Sequence, residues 1–187
     1  IDTVADSIEG GMSNIQDIYP LGPLQEGILF HHMLHQEGDP YLLYMTLGYE
    51  SKAHVEASLD AIRTVIGRYD IMRTAFIWKG LSDPVQVVCR DVELPVVEEQ
   101  FADNVVASLN EKYDPSHFRV DVSQGPLVFC VYAEDAANDR WLLRIMYHHL
   151  TGDHISLEIL VDEVNHVLQD KQSELPEPVQ YRNYIAN

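Results

Sequence analysis

Hydrophobic positions recur along this chain at two spacings, and the alternation between them outlines the fold. From Pro23, the positions Leu24, Ile28 and His31 or His32 repeat at i, i+4, i+7 and i+8, which predicts an amphipathic helix to about Gln36. Proline is tolerated at a first helical position, and Gly38-Asp39-Pro40 stops the helix. "YLLYMTLGYE", residues 41–50, reads as a strand. Residues 54–69 read as a helix with Val55, Leu59, Ile62 and Ile66 on its apolar face. "MRTAFIW" and "VQVVC" read as strands around a turn at Gly80–Pro84, and residues 101–113 as a further helix. "PLVFCVYAED" and "RWLLRIMYH" are two long strands joined by the polar turn Ala136-Ala137-Asn138-Asp139. Residues 155–168 form a helix whose apolar positions are Ile155, Leu157, Ile159, Leu160, Val164, Val167 and Leu168. Pro176 and Pro178 end it, and "VQYRNYIAN" is a short final helix or tail. Helices alternate with strands and hairpins occur as well, so the fold class is α/β (α+β), a mixed sheet with helices on one face.

Composition narrows the picture. The 187 residues suit one domain or one large lobe of a bigger one, and 46% hydrophobic residues are enough for a core. Residues 1–16 are polar, carry Gly10-Gly11 and read as a linker with room for one short helical turn. A net charge of −18 argues against nucleic acid or an anionic membrane as main partner. Cys89 and Cys130 lie far apart in apolar, strand-like segments and read as reduced core residues, which suits a cytoplasmic location. The N-terminus lacks the pattern of a signal peptide, and no apolar run approaches the ~18 residues that span a membrane.

The candidate chemistry lies in two histidine pairs. His148-His149 follows the apolar run Ile145-Met146-Tyr147, with Asp153 four residues beyond. Neighbouring side chains on a strand point to opposite faces, so the two rings do not address one ligand, which argues against a metal there. A histidine at a strand end suits general acid–base work, because its ordinary pKa of about 6.5 lies near working pH. Asp153 is placed either to orient a ring nitrogen or to hold the loop through an ion pair with an arginine. Core packing and chance are the bland alternatives for such a pair. No Gly-x-Ser-x-Gly elbow is present, and neither cysteine sits at an evident strand-to-helix turn. In the first pair, His31 and His35 share a helix face and suit ordinary surface positions; no third ligand converges to make a metal site.

"HHLTGD", His148 to Asp153, resembles the His-His-x-x-x-Asp-Gly motif of nonribosomal peptide synthetase condensation domains, which chloramphenicol acetyltransferase-like acyltransferases share. "YPLGPLQEGILFH" is similar to the opening motif of those domains, and "RYDIMRTAF" to their second motif. "SIEGGMSNIQDIYPL" looks like the linker from a preceding carrier domain. The resemblance implies a chloramphenicol acetyltransferase-like lobe, a mixed sheet flanked by helices. It implies that His148, His149 and Asp153 form the catalytic motif, with His149 as the catalytic imidazole, either as a true base or as a positioning and electrostatic group. By alternation His148 is buried and structural. Arg73 and Asp153 match the family's structural ion pair. No cofactor is bound in the lobe itself; the substrates are thioesters on the phosphopantetheine of carrier domains. The motif's last glycine is His154 here, which supplies bulk and another ionisable group.

"HHMLHQEGD", residues 31–39, is close to a second signature, His-His-[Ile/Leu]-x-x-x-x-Gly-Asp, with Met33 in place of Ile or Leu. It marks the dual epimerisation/condensation subgroup, and His31, His32, Gly38 and Asp39 carry it. The implied reaction inverts the Cα of the donor's last residue and then condenses it, with His149 as base for both. His31 and His32 lie about 100° apart on a helix, so at most one faces the site. The motifs all belong to the N-terminal lobe. The expected organisation is therefore a linker over 1–16, the lobe over 17–176, and over 177–187 the start of a link to an absent C-terminal lobe. The expected partners are upstream and downstream carrier domains and that C-terminal lobe. The competing readings are an ordinary condensation domain, a non-catalytic carrier-docking module with vestigial histidines, and a stand-alone acetyltransferase that trimerises.

Overall fold

A computed structural model of the chain describes residues 2–178 and 181, with only the backbone of His154. The predicted helix and tail over 179–187 thus lies outside the described residues apart from Tyr181. Five helices are described: α1 (Asp2–Ser7), α2 (Pro23–Leu34), α3 (Lys52–Arg68), α4 (Val105–Lys112) and α5 (His154–Leu168). The strands are β1 (Ile15–Pro20), β2 (Leu42–Tyr49), β3 (Thr74–Ile77), β4 (Val85–Cys89), β5 (Val96–Glu99), β6 (Val128–Asp135) and β7 (Arg140–His148). They form a four-stranded sheet in the order β2-β7-β6-β5 and a three-stranded sheet in the order β1-β4-β3. The larger sheet is mixed: β2, β7 and β6 pair antiparallel, and β5 pairs parallel to β6. The fold class read from the pattern is therefore the one observed.

β7 occupies an inner position of the larger sheet and is buried from Leu142 to His148. Its alternate side chains serve two cores, as a period of two requires. Leu143, Ile145 and Tyr147 join Cys130 and Tyr132 of β6 against α3 and α5. Leu142 and Met146 face the other way, with Val131 and Ala133, against Val105 and Leu109 of α4. Helices thus cover both faces, not the one face that the pattern suggested. An inner strand must be covered on both sides, and short α4 supplies the second cover.

The helices begin where the side chains can satisfy the free N–H groups of a first turn. Ser51 caps α3 through the His54 N–H, Asn104 caps α4 through that of Ala107, and Asp153 caps α5 through that of Ser156. All four residues assigned to the apolar face of α3 are buried. In α5 only Leu157, Leu160 and Val164 are, joined by Glu163, whose carboxylate accepts from Arg68 at 3.0 Å and from the Tyr69 hydroxyl. Ile155 and Ile159 point outward. On α2 the buried residues are Ile28, Leu29 and His32, whereas Leu24, expected on the core face, is 77% exposed.

Two further differences concern the periphery. The polar opening forms α1 and a short 3-10 turn, Gly11–Asn14, and Val4 and Ile8 are buried against Ala75, Ile77 and Val87 of the smaller sheet. β5, four residues at a sheet edge, had no pattern of its own to announce it. Both cysteines are free and buried, and burial pushes the Cys130 thiol up to about 12. No helix among the described residues is long and apolar enough to cross a membrane.

Candidate active site

β7 ends at His148, and the chain turns through a 3-10 segment, His149–Thr151, into the Asp153 cap of α5. Gly152 allows this turn for reasons of space: an added Cβ would lie 1.8 Å from the Tyr147 hydroxyl and 2.8 Å from Ser156. His154 is the first residue of α5, where the backbone is helical, so the position needs no glycine. That accounts for its departure from the expected motif; its side chain lies outside the described residues.

The two histidines part as strand alternation requires. His148 is 0% exposed and both its nitrogens are engaged. Its Nδ1 accepts from the Leu150 N–H at 3.1 Å, so Nε2 carries the hydrogen and donates to Asp39 Oδ2 at 2.9 Å. It offers no atom to a substrate. His149 is half-buried, and its Nδ1 donates to the Gly152 carbonyl at 3.0 Å. In the neutral ring the lone pair therefore falls on Nε2, which makes no hydrogen bond among the described residues. Tyr41 lies beside it, ring edge to ring face, with centroids 6.4 Å apart, and the ring of the exposed His31 stands 6.1 Å from that of Tyr41.

The first histidine pair also divides. His32 turns inward and donates from Nδ1 to Asp39 Oδ2 at 2.5 Å, while its Nε2 accepts from Arg119 at 3.0 Å. Arg119 also donates to the carbonyls of His32, at 2.8 Å, and Gly38, at 2.9 Å. Asp39, 1% exposed, thus receives both imidazoles on one oxygen, and the Tyr41 N–H on the other at 3.0 Å. Burial by itself would raise the Asp39 carboxyl, but the hydrogen bonds from His148 and His32 outweigh it and hold the group well below the usual carboxylate range. Burial is also the largest influence on His148 and lowers its pKa despite the neighbouring carboxylate. Gly38 meets two demands here: its φ is +67°, and a Cβ would lie 2.2 Å from the Ser116 carbonyl oxygen.

His32, Asp39 and His148 bring three ligand-type atoms within 4.8 Å of one another. They are aimed at each other rather than at a common centre. The ring nitrogens that face Asp39 both carry a hydrogen, because His32 Nε2 accepts from Arg119 and His148 Nδ1 from the Leu150 N–H, so neither offers a lone pair to an ion in this arrangement. The Arg119 guanidinium beside His32 adds a repelling charge. His35, the other residue weighed for a metal, turns its Nδ1 to the His31 carbonyl at 2.8 Å.

The expected ion pair between Arg73 and Asp153 is not formed. Arg73, at the head of β3, donates to Asp70 at 2.8 Å, to Gln16 at 3.2 Å and to the carbonyls of Cys89 and Arg90. An acid three residues away and the end of β4 satisfy it within the smaller sheet. Asp153 is used at the N-terminus of α5, where its Oδ1 accepts from the Ser156 N–H at 3.0 Å. Asp70 was a readable signal, since residues three apart meet on one turn. Arg119 was not singled out in the sequence, and nothing near it in the chain points to His32.

The fold and the sequence together place the chain in a known family. The family model described as "Condensation domain" matches residues 15–187, and the chain belongs to that family. Among curated proteins, the malpinin synthetase of Mortierella alpina is 44% identical over 189 residues, which takes in 100% of this chain and 2% of the relative. The malpibaldin synthetase of the same organism is 43% identical, over 100% of this chain and 3% of its own length. Tyrocidine synthase 2 of Brevibacillus parabrevis is 29% identical over 91% of this chain and 5% of the relative. The chain thus spans a few hundredths of the length of these synthetases. Among solved structures, the starter condensation domain of the rhizomide synthetase superposes with a TM-score of 0.66 at 20% identity, over 82% of this chain and 37% of that one. A four-domain nonribosomal peptide synthetase bound to AMP and glycine gives 0.68 at 14% identity, over 80% and 11%. The shared fold is the chloramphenicol acetyltransferase-like one.

Proposed function

We propose that this chain is the N-terminal lobe of a condensation domain in a nonribosomal peptide synthetase. It joins a carrier-bound thioester donor to a carrier-bound aminoacyl acceptor after turning the donor's last residue from L to D. The observation that carries the reading is the state of His149. Its Nδ1 is tied to Gly152, and its Nε2 lone pair makes no hydrogen bond among the described residues, in a half-buried ring at the end of an inner strand.

The chemistry needs such a group. The acceptor's amine nitrogen attacks the donor's carbonyl carbon; the C–N bond forms and the C–S bond breaks. Nε2 takes the proton that the amine must lose and returns it to the departing thiolate sulfur. For epimerisation the same nitrogen removes the Cα proton, which the neighbouring thioester carbonyl acidifies, and delivers it back on the opposite face. Of the signature residues His32, Gly38 and Asp39 are buried in the scaffold and His31 is exposed, and the reading keeps His149 as base for both steps. The substrates arrive on the phosphopantetheine arms of the upstream and downstream carrier domains, and the C-terminal lobe closes the site. Relatives named as synthetases and the residues of the 31–39 signature support the reading.

The experiment is a condensation assay in the complete synthetase, with an L-peptidyl thioester donor and an aminoacyl acceptor. The expected product has a D-centre at the donor position, and His149→Ala abolishes it. A product with the L-centre retained identifies an ordinary condensation domain. Undiminished peptide formation by His149→Ala identifies a docking module and refutes the catalytic assignment.

A further inference from the structure

His149 is supported from two sides, and both supports lead to one carboxylate. On one side, Asp39 Oδ1 accepts from the Tyr41 N–H at 3.0 Å, and the Tyr41 carbonyl accepts from the His149 N–H at 2.9 Å. On the other, Asp39 Oδ2 accepts from His148 Nε2–H at 2.9 Å, and His148 Nδ1 accepts from the Leu150 N–H at 3.1 Å. The backbone before and after the His149 ring is thus pinned through residues on either side of it, 109 positions from Asp39 in the case of His148. The Asp39 N–H is itself fixed to the Pro115 carbonyl at 2.6 Å, and His32, held by Arg119, adds the second imidazole donor to Oδ2 at 2.5 Å.

We propose that Asp39 is a positioning residue for His149. It holds His148 in the Nε2–H tautomer and so closes the turn that presents the His149 Nε2. His32, Gly38 and Arg119 act through Asp39: one donates to its Oδ2, one lets the backbone reach it, and one orients the His32 ring. The segment 31–39 therefore serves the site as scaffold, and condensation depends on it as much as epimerisation does. This rests on the reading of His149 as the reacting imidazole. The alternatives for the cluster are weaker: no substrate atom reaches Asp39 at 1% exposure, and both ring nitrogens that face it carry a hydrogen and offer no lone pair to an ion.

Asp39→Asn tests it. The amide keeps a single oxygen, so one support of the His149 turn is lost in either orientation: with the oxygen toward the imidazoles the Tyr41 N–H loses its acceptor, and with it toward Tyr41 the His148 Nε2–H does. In the complete synthetase, kcat for peptide formation is expected to fall by about tenfold or more, the range found when an orienting partner is lost. The KM for both thioesters stays within about twofold, because binding is not what Asp39 supports. In this chain, ¹⁵N NMR of the histidine rings is expected to show His148 as Nε2–H. Unchanged kcat in Asp39→Asn, with His149→Ala inactive, overturns this proposal and leaves the catalytic reading standing. Full activity of His149→Ala removes both. Should Asp39→Asn fail to fold, the unsubstituted chain still decides: a His148 ring found as Nδ1–H overturns the proposal.

Discussion

Burial and one shared carboxylate set the behaviour of the residues at the site. His148 is 0% exposed and its pKa is lowered from 6.5, chiefly by burial. At pH values just under that ordinary value the unfolded chain binds a proton there and the folded chain does not, so stability is fully present above about 6.5 and declines as pH falls toward the folded value. Asp39, lowered from 3.8, adds a second loss of the same sign that starts below its ordinary range. Urea midpoints measured between about pH 5 and 8 should therefore fall on acidification, and His148→Gln should show the shallower slope, though it is less stable throughout. Parallel lines for the two proteins would show that another group carries the dependence. At this scale the sequence placed one ring and missed the partners of two charges. Alternation at the end of β7 assigned His148 to the interior, whereas Arg73 and Asp153 were joined by a family pattern and are separated by the demands of their own elements.

Elements are held in place by polar groups inside apolar faces, and α4 is the clearest case. Arg144, in the middle of β7 and 2% exposed, donates to the Leu109 carbonyl at 2.9 Å, to Asn110 Oδ1 at 2.6 Å and to Thr46 at 3.1 Å. Its guanidinium also lies 4.4 Å from the centre of the Tyr44 ring. A cation at the last turn of a helix opposes the partial negative charge there, so one side chain both satisfies a terminal carbonyl and docks α4 on the sheet. Arg144→Met keeps the length but leaves the Leu109 carbonyl and the Asn110 amide oxygen without that donor; the expected loss is about 1.5–3 kcal/mol in chemical denaturation. A change under about 0.5 kcal/mol would place the docking of α4 in Val105 and Leu109 alone. Glu163 of α5, bound by Arg68 and Tyr69, joins α5 to α3 in the same manner. Neither was visible in the apolar spacing, because the period of an element reports which face is buried and not which polar groups find partners there.

At the scale of the whole molecule, the side of α2 that carries Leu24, Phe30 and Leu34 is exposed, and so are Ile155 and Ile159 of α5. These two helices are joined to the His149 turn: Gln25 of α2 donates to the Leu150 carbonyl at 3.1 Å, and α5 begins directly after it. If a second lobe completes the site as proposed, this chain alone should form no peptide from the two carrier thioesters, because it cannot hold them in register. The complete domain under the same conditions should. Peptide formation by the isolated chain at a comparable rate would show that one lobe suffices.

Local spacing in the sequence determined α3, β6, β7 and α5, the interior position of His148 and the emergence of His149 at a strand end, because period and turn chemistry are properties of neighbouring residues. Tertiary structure alone decided that α4 covers the second face and that Val96–Glu99 pairs as a parallel edge strand. It alone brought Asp39 to His148 and Arg119 to His32. Those contacts join residues far apart in the chain, and a buried charge selects its partner from whatever the packed elements carry to it.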